Sequence, residues 1–333
     1  MISISHKEFN CIDLLKYLMA LAVVTIHNEG FDTHIRNTVP AVWFIRTAVP
    51  FFFIATGFFL GKRAKEFNSA PLMRKYLRNK AATLIKIFGL WLLVYMPITI
   101  YYYASHHTPF PECLYLFAEG VILRGESPMS WALWYIYSLA IVLYLLSLAS
   151  NKGYMYGLMA LFFIVYLLNY YSFVGNINQH KIIAIAHMLF SRTLGGGIYI
   201  LSGLALYNIL HSPYMTKRLV YMLIVSSAAF SWMLFYLVLP LWDVLSGIVF
   251  VAIGILIKLP NAKLWISLRA QSKWIYFLHM YIIYGLSLAS SFWFHKQMPC
   301  YVPLTYILSI SLGYFMYRVQ KIPIFNKIGI LIT

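Results

Sequence analysis

The chain has 333 residues, 62% of them hydrophobic and 18% aromatic, with only 11% charged and a mean hydropathy of +0.74. Soluble globular domains carry about 25% charged residues, so a water-soluble enzyme is excluded and an all-α, polytopic membrane protein is expected. The net charge of +17 would point to nucleic acid in a soluble chain, but its distribution gives it another meaning, and no nucleic-acid partner is expected.

Ten segments approach the roughly 20 apolar residues that a helix needs to cross a bilayer. In chain order they run 11–30, 40–60, 84–104, 131–149, 154–172, 182–209, 218–239, 241–259, 273–294 and 302–319. Only a tight turn around Pro240 separates the seventh from the eighth. Ten crossings put both termini on one side. With that side inside, 18 of the 26 Lys and Arg residues fall in cytoplasmic segments, while Arg36, Arg124, Lys181 and Lys296 alone fall in outer loops. This is the asymmetry of the positive-inside rule, so both termini are read as cytoplasmic and the basic excess as an orientation signal. The first segment is long, carries Asp13 and Lys16, and lacks a small-x-small cleavage site, which reads as a retained span rather than a cleaved signal. Cys11, Cys113 and Cys300 show neither metal-ligand nor redox spacing. No metal is expected, and residues 1–333 read as one membrane domain without repeats.

Ionisable groups inside a membrane are expensive and need a reason. In the first segment, positions 13, 16, 20, 23 and 27 are spaced three, four, three and four apart, so a helix puts Asp13, Lys16 and His27 on one stripe. The topology then gives every other polar residue a depth. An outer layer gathers His27 and Glu29, Arg46 of the second segment, Trp131 and Trp134 of the fourth, Arg192 of the sixth and Asp243 of the eighth. Each has a structural alternative: Arg46, Arg192 and Asp243 can pair with one another, the tryptophans can belong to an interfacial belt, and Gly195–Gly197 can serve close packing. An inner layer holds Asp13, Lys16, Arg74, Lys75, Arg78, Lys80, Lys86 and His279. So dense a basic cluster suits membrane-lipid headgroups or the phosphates of a nucleotide cofactor. The eleven residues from Lys16 to His27 span roughly 16 Å of helix, about the length of a pantetheine arm. An acyl-CoA held at the inner cluster can therefore reach His27 with its thioester.

These residues resemble the type 3 acyltransferase family, ten-helix bacterial membrane proteins that acylate exported envelope polysaccharides and related molecules. Asp13-Leu-Leu-Lys16 followed by His27 resembles the opening motif, and Arg46 to Gly57 the arginine, Val-Pro-Phe-Phe and glycine sequence of the second helix. Leu133-Trp134-Tyr135, Ser191-Arg192 with Gly203, and Ile275-Tyr-Phe-Leu-His279 are similar to later elements, in the same order. Three features depart from the pattern. Lys16 stands where many members carry Arg, Ala132 replaces a histidine, and Arg78 and Lys80 do not form an Arg-x-x-Arg.

The resemblance implies an inner-membrane O-acyltransferase that moves an acyl group, most simply acetyl, from cytoplasmic acyl-CoA to a hydroxyl of an envelope glycan or lipid-linked sugar. On that pattern Lys16, Arg78, Lys80 and His279 bind the donor. His27 is the general base or takes the acyl group itself, roles open to an imidazole with an ordinary pKa of about 6.5. Arg46 and Arg192 stabilise the tetrahedral oxyanion, while Trp134 and Asp243 contact the acceptor. The competing class is a transporter or flippase without covalent chemistry, since charges on several spans also suit a substrate path. Transporters often show paired halves, and no internal symmetry is visible in this sequence.

Overall fold

The structure, a computed structural model, describes residues 9–28, 39–149, 151–174, 190–260, 262–294 and 301–322. Among these the regular elements are all helical. They are α1 (Asn10–His27), α2 (Val39–Arg46), α3 (Ala48–Phe67), α4 (Ala70–Ser105), α5 (Phe110–Glu119), α6 (Trp134–Leu148), α7 (Lys152–Val174), α8 (Gly197–Leu210), α9 (Lys217–Tyr236), α10 (Trp242–Leu256), α11 (Lys263–Phe294) and α12 (Tyr301–Val319). A π-helical segment, Gly120–Arg124, continues α5, and a 3-10 turn, Trp131–Leu133, leads into α6. Residues 190–194 form a further helical turn ahead of α8.

Among the described residues each of the ten apolar segments contains helix, but the edges differ. The helix α4 begins at Ala70 and α11 at Lys263, fourteen and ten residues before the segments expected from hydropathy at 84 and 273. The early part of each carries Lys and Arg (Arg74, Lys75, Arg78 and Lys80 in α4, Lys263 and Arg269 in α11), which depress hydropathy yet are good helix formers. Pro71 in the first turn of α4 supplies a preset φ where no N–H is needed. A second difference lies at 105–130, expected as an outer loop, where α5 and the π-helical segment are found.

Among the described residues, six helices are long and apolar enough to cross a membrane: Asn10–His27, Ala70–Ser105, Trp131–Leu148, Lys152–Tyr171, Phe190–Leu210 and Lys217–Tyr236. The pair Pro40–Arg46 and Ala48–Phe67, bent by 43° at Thr47, makes a seventh if it is one span. Trp242–Leu256 is apolar but shorter, and α11 and α12 dilute their apolar content with Tyr, Ser and Trp.

The helices pack as two compact units, 1–52 with 212–333, and 53–211. In the first, α1 lies along α11, with Ala20 and Val24 of α1 packed on Ile275. Gly254 lets α10 approach Ile12 and Leu15, and Gly313 lets α12 approach Ile275. Trp43 of α2 donates to Ser231 Oγ of α9 at 3.1 Å, and that hydroxyl donates to the Trp242 carbonyl of α10 at 2.6 Å. In the second unit, α3 and α8 meet at glycines. A Cβ on Gly57 would lie 2.1 Å from the Ile200 carbonyl oxygen, and one on Gly203 would lie 2.1 Å from that of Ile54. Small residues at such crossings let backbones touch where lipid supplies no hydrophobic drive.

Candidate active site

The first unit carries two polar clusters on one pair of helices. Near the start of α1, Asp13 is 5% exposed, and a carboxylate so buried needs a cation. It has two. Lys16 Nζ lies 3.6 Å from one oxygen and Arg269 Nη1 of α11 lies 3.2 Å from the other. The Asp13–Lys16 pair follows from their spacing. Arg269 is not predicted by the sequence, since hydropathy starts the ninth segment only at 273, whereas the helix begins at Lys263.

At the far end of α1 the ring of His27 lies against that of His279, with centroids 5.4 Å apart and planes tilted by 35°. Asp13 with Arg269, then Ala20 and Val24 with Ile275, then His27 with His279 show that α1 and α11 run parallel. This corrects the inner-layer position expected for His279. Because α11 starts at Lys263, His279 lies sixteen residues into the helix rather than six, and it shares the level of His27.

His279 is fully buried. Its Nδ1 lies 2.7 Å from the Tyr276 carbonyl and 3.2 Å from that of Ile275. Carbonyls only accept, so Nδ1 carries the proton and Nε2 is left as a bare acceptor in the neutral ring. That Nε2 is buried and has no hydrogen-bond partner among the described residues. Asn28, which directly follows His27 and ends α1, is 1% exposed, and among the described residues neither atom of its side-chain amide has a partner. One turn earlier, the hydroxyl of Thr25 hydrogen-bonds that of Tyr306 on α12. Folded proteins leave few buried polar atoms unpaired, so three of them on or beside His27 mark the place.

Arg46 and Asp243 sit at helix ends in the same unit. Arg46 is the exposed last residue of α2. The next residue, Thr47, hydrogen-bonds Ser246 Oγ of α10 at 2.8 Å, and Ser246 in turn donates to the Asp243 carbonyl at 3.0 Å. The Asp243 carboxylate accepts from the Val244 N–H at 2.9 Å, which is a first-turn role that the helix dipole favours.

In the second unit the guanidinium of Arg192 lies 4.9 Å over the ring of Trp134. Gly196 accounts for their helices meeting. Its N–H donates to Ser138 Oγ of α6 at 3.2 Å, and a Cβ there would strike Phe53. The glycine run therefore serves close packing. Glu126 follows Gly125, which takes a φ of 66°, and its N–H returns to the Gly120 carbonyl at 3.1 Å. Burial pushes the Glu126 carboxyl above its ordinary range, against the pull of Arg192 and Arg124. Arg78 and Lys80 are exposed on the first turns of α4, and Lys80 lies 5.9 Å over the Tyr76 ring. Glu29, Arg36, Lys181, Lys296 and Cys300 lie outside the described residues.

A sequence model of an acyltransferase domain matches residues 9–318. No curated protein and no solved structure matches the chain. The match takes in α1 with His27, α11 with His279 and the Arg192–Trp134 contact, which is nearly the whole sequence, and the chain belongs to the type 3 acyltransferase family.

Proposed function

We propose that this membrane acyltransferase takes an acyl group, most simply acetyl, from cytoplasmic acyl-CoA and places it on a hydroxyl of an exported envelope glycan or lipid-linked sugar. In this reading the protein crosses the cytoplasmic membrane ten times, with both termini inside. Family membership supports the reaction class. The observation that carries the mechanism is the contact of His27 with a buried His279 whose Nε2 is a bare acceptor.

A neutral imidazole has one N–H and one lone pair. With its N–H turned toward His279, His27 presents the lone pair to the acceptor hydroxyl. The hydroxyl oxygen attacks the thioester carbonyl carbon as its proton passes to His27. Collapse of the tetrahedral intermediate breaks the carbon–sulfur bond, and the leaving thiolate of CoA takes that proton. In this scheme His279 orients the base, as a third group does in other base-assisted acyl transfers, and no longer serves as a ligand for donor phosphates. Lys16, Arg78 and Lys80 remain the groups assigned to those phosphates, and Trp134 and Asp243 those assigned to the acceptor. Arg46 and Arg192 are assigned to anionic groups that appear during transfer.

The test is the O-acyl content of envelope glycans, by mass spectrometry, in deletion cells complemented with wild-type protein or His27→Ala at matched membrane levels. An acyl mass increment seen only with wild type is expected. Equal acylation in both would remove His27 from the chemistry, and movement of a substrate without consumption of acyl-CoA would favour a transporter.

A further inference from the structure

The reaction above needs a group to receive the negative charge that develops on the thioester oxygen, and the end of α1 is an unfavourable place for it. The last turn of a helix exposes carbonyls, whose partial negative charge repels an anion. A neutral hydrogen-bond donor beside His27 offsets that repulsion and adds to the charge assigned to Arg46 and Arg192. We propose that Asn28 is that donor, a catalytic residue whose side-chain N–H groups hold the thioester carbonyl oxygen and the oxyanion it becomes.

Three observations carry the assignment. Asn28 directly follows His27 and leaves the helix, with φ −90° and ψ 96°. It is 1% exposed. Among the described residues both of its buried amide atoms lack a partner, as does His279 Nε2 on the ring packed against His27. An amide buried for packing alone would be expected to find partners. A neutral amide also suits the chemistry, because it donates without competing for the proton that moves through His27. The acceptor oxygen–carbon bond forms while the carbonyl π pair moves onto the oxygen held by Asn28. The pair returns when the carbon–sulfur bond breaks and CoA leaves as its thiol, with the proton from His27.

The inference rests on the proposed acyl transfer from acyl-CoA, and the test separates the two. Membranes from complemented deletion cells contain the native acceptor and are supplied with [1-14C]acetyl-CoA. The initial rate of label transfer is measured for wild type, Asn28→Asp, Asn28→Ala and His27→Ala, alongside the thermal midpoint of each protein. Loss of one oxyanion donor lowers kcat about 100- to 1,000-fold. That loss is expected for both Asn28 variants, with the apparent KM for acetyl-CoA within about twofold of wild type; the midpoint of Asn28→Ala should be unchanged or raised, since an unpartnered polar group has gone, while that of Asn28→Asp should fall, since a carboxyl takes a buried place. Rates within about threefold of wild type in either variant, or a loss in Asn28→Ala that tracks a lowered midpoint, would overturn the assignment. Wild-type membranes that transfer no label, or transfer it equally well with His27→Ala, would refute the function on which it rests and the assignment with it.

Discussion

The parallel pair α1 and α11 is polar at both ends, and the two ends are built in opposite ways. At the first, a buried Asp13 takes Lys16 from its own helix and Arg269 from the other, so the carboxylate has a cation at each oxygen. At the second, His27 meets His279, and polar atoms of His279 and Asn28 stay buried without partners. A closed network fixes the register of two helices. An open one holds polar capacity in reserve for a molecule that arrives later. Between them lies the apolar contact of Ala20 and Val24 with Ile275, so the same two helices carry a closed end, from which Lys16 is assigned to the donor's phosphates, and an open one where the acyl group moves.

The comparison is broken most directly at His279. Replacement by Phe keeps a ring of similar shape and removes the bare acceptor beside His27. General-base assistance is worth about 100- to 10,000-fold, so His279→Phe should lower the rate of label transfer by roughly 100-fold or more. The thermal midpoint should change little, because the gain from removing an unpartnered nitrogen is set against the loss of the Nδ1–H bond to the Tyr276 carbonyl. If the rate survives and the midpoint falls, the second end is as structural as the first.

The closed end should behave in the reverse manner. Asp13→Asn leaves Lys16 and Arg269 without their counter-charge, and hydrogen bonds to charged groups are worth about 1.5–3 kcal/mol. The expected result is a lowered thermal midpoint with a transfer rate close to wild type. Arg269→Ala should cost less, since that side chain is 46% exposed and exposed pairs contribute about 0–1 kcal/mol. A transfer rate that collapses in Asp13→Asn at normal midpoint would bring this end into the chemistry.

How far these ends could be read from sequence follows from where each signal lies. Asp13, Lys16 and His27 fall on one stripe by their spacing alone, and the Asp13–Lys16 pair is local to that helix. Gly57 and Gly203 stand out as small residues in apolar segments, and the structure sets each against the other's helix backbone. Arg269 and His279 were misplaced for one reason. Hydropathy starts the ninth segment at 273, because Lys263, Arg269 and Lys273 mask a helix that begins at Lys263. Ten missing residues moved His279 about 15 Å along the helix axis, from the level of His27 to that of Lys16. Asn28 was not legible at all. A single asparagine after a helix is an ordinary helix end, and only its burial without partners distinguishes it.

Glu126 offers the smallest effect and a separate trial of the principle, because it too has a buried oxygen without a partner. It differs from His279 in lying on the segment between Gly125 and the turn at Ser127–Ser130, with Arg192 and Arg124 acting on it through space. Burial raises its carboxyl above the ordinary value of 4.5, so the folded protein holds this proton more tightly than the unfolded chain. Between the two values the folded state binds more protons, and stability falls as pH rises through that window. Below it the carboxyl is protonated in both states and nothing is lost; above it the cost of burying the charge is fully present. Glu126→Gln removes the charge at every pH. Its thermal midpoint should match wild type near about pH 4 and exceed it increasingly toward about pH 8, by a margin that the two arginines keep small. Parallel curves would mean that the carboxyl is already compensated where it stands. A raised midpoint with lost transfer would instead place Glu126 with His279 and Asn28, as a polar group kept unpaired for a substrate.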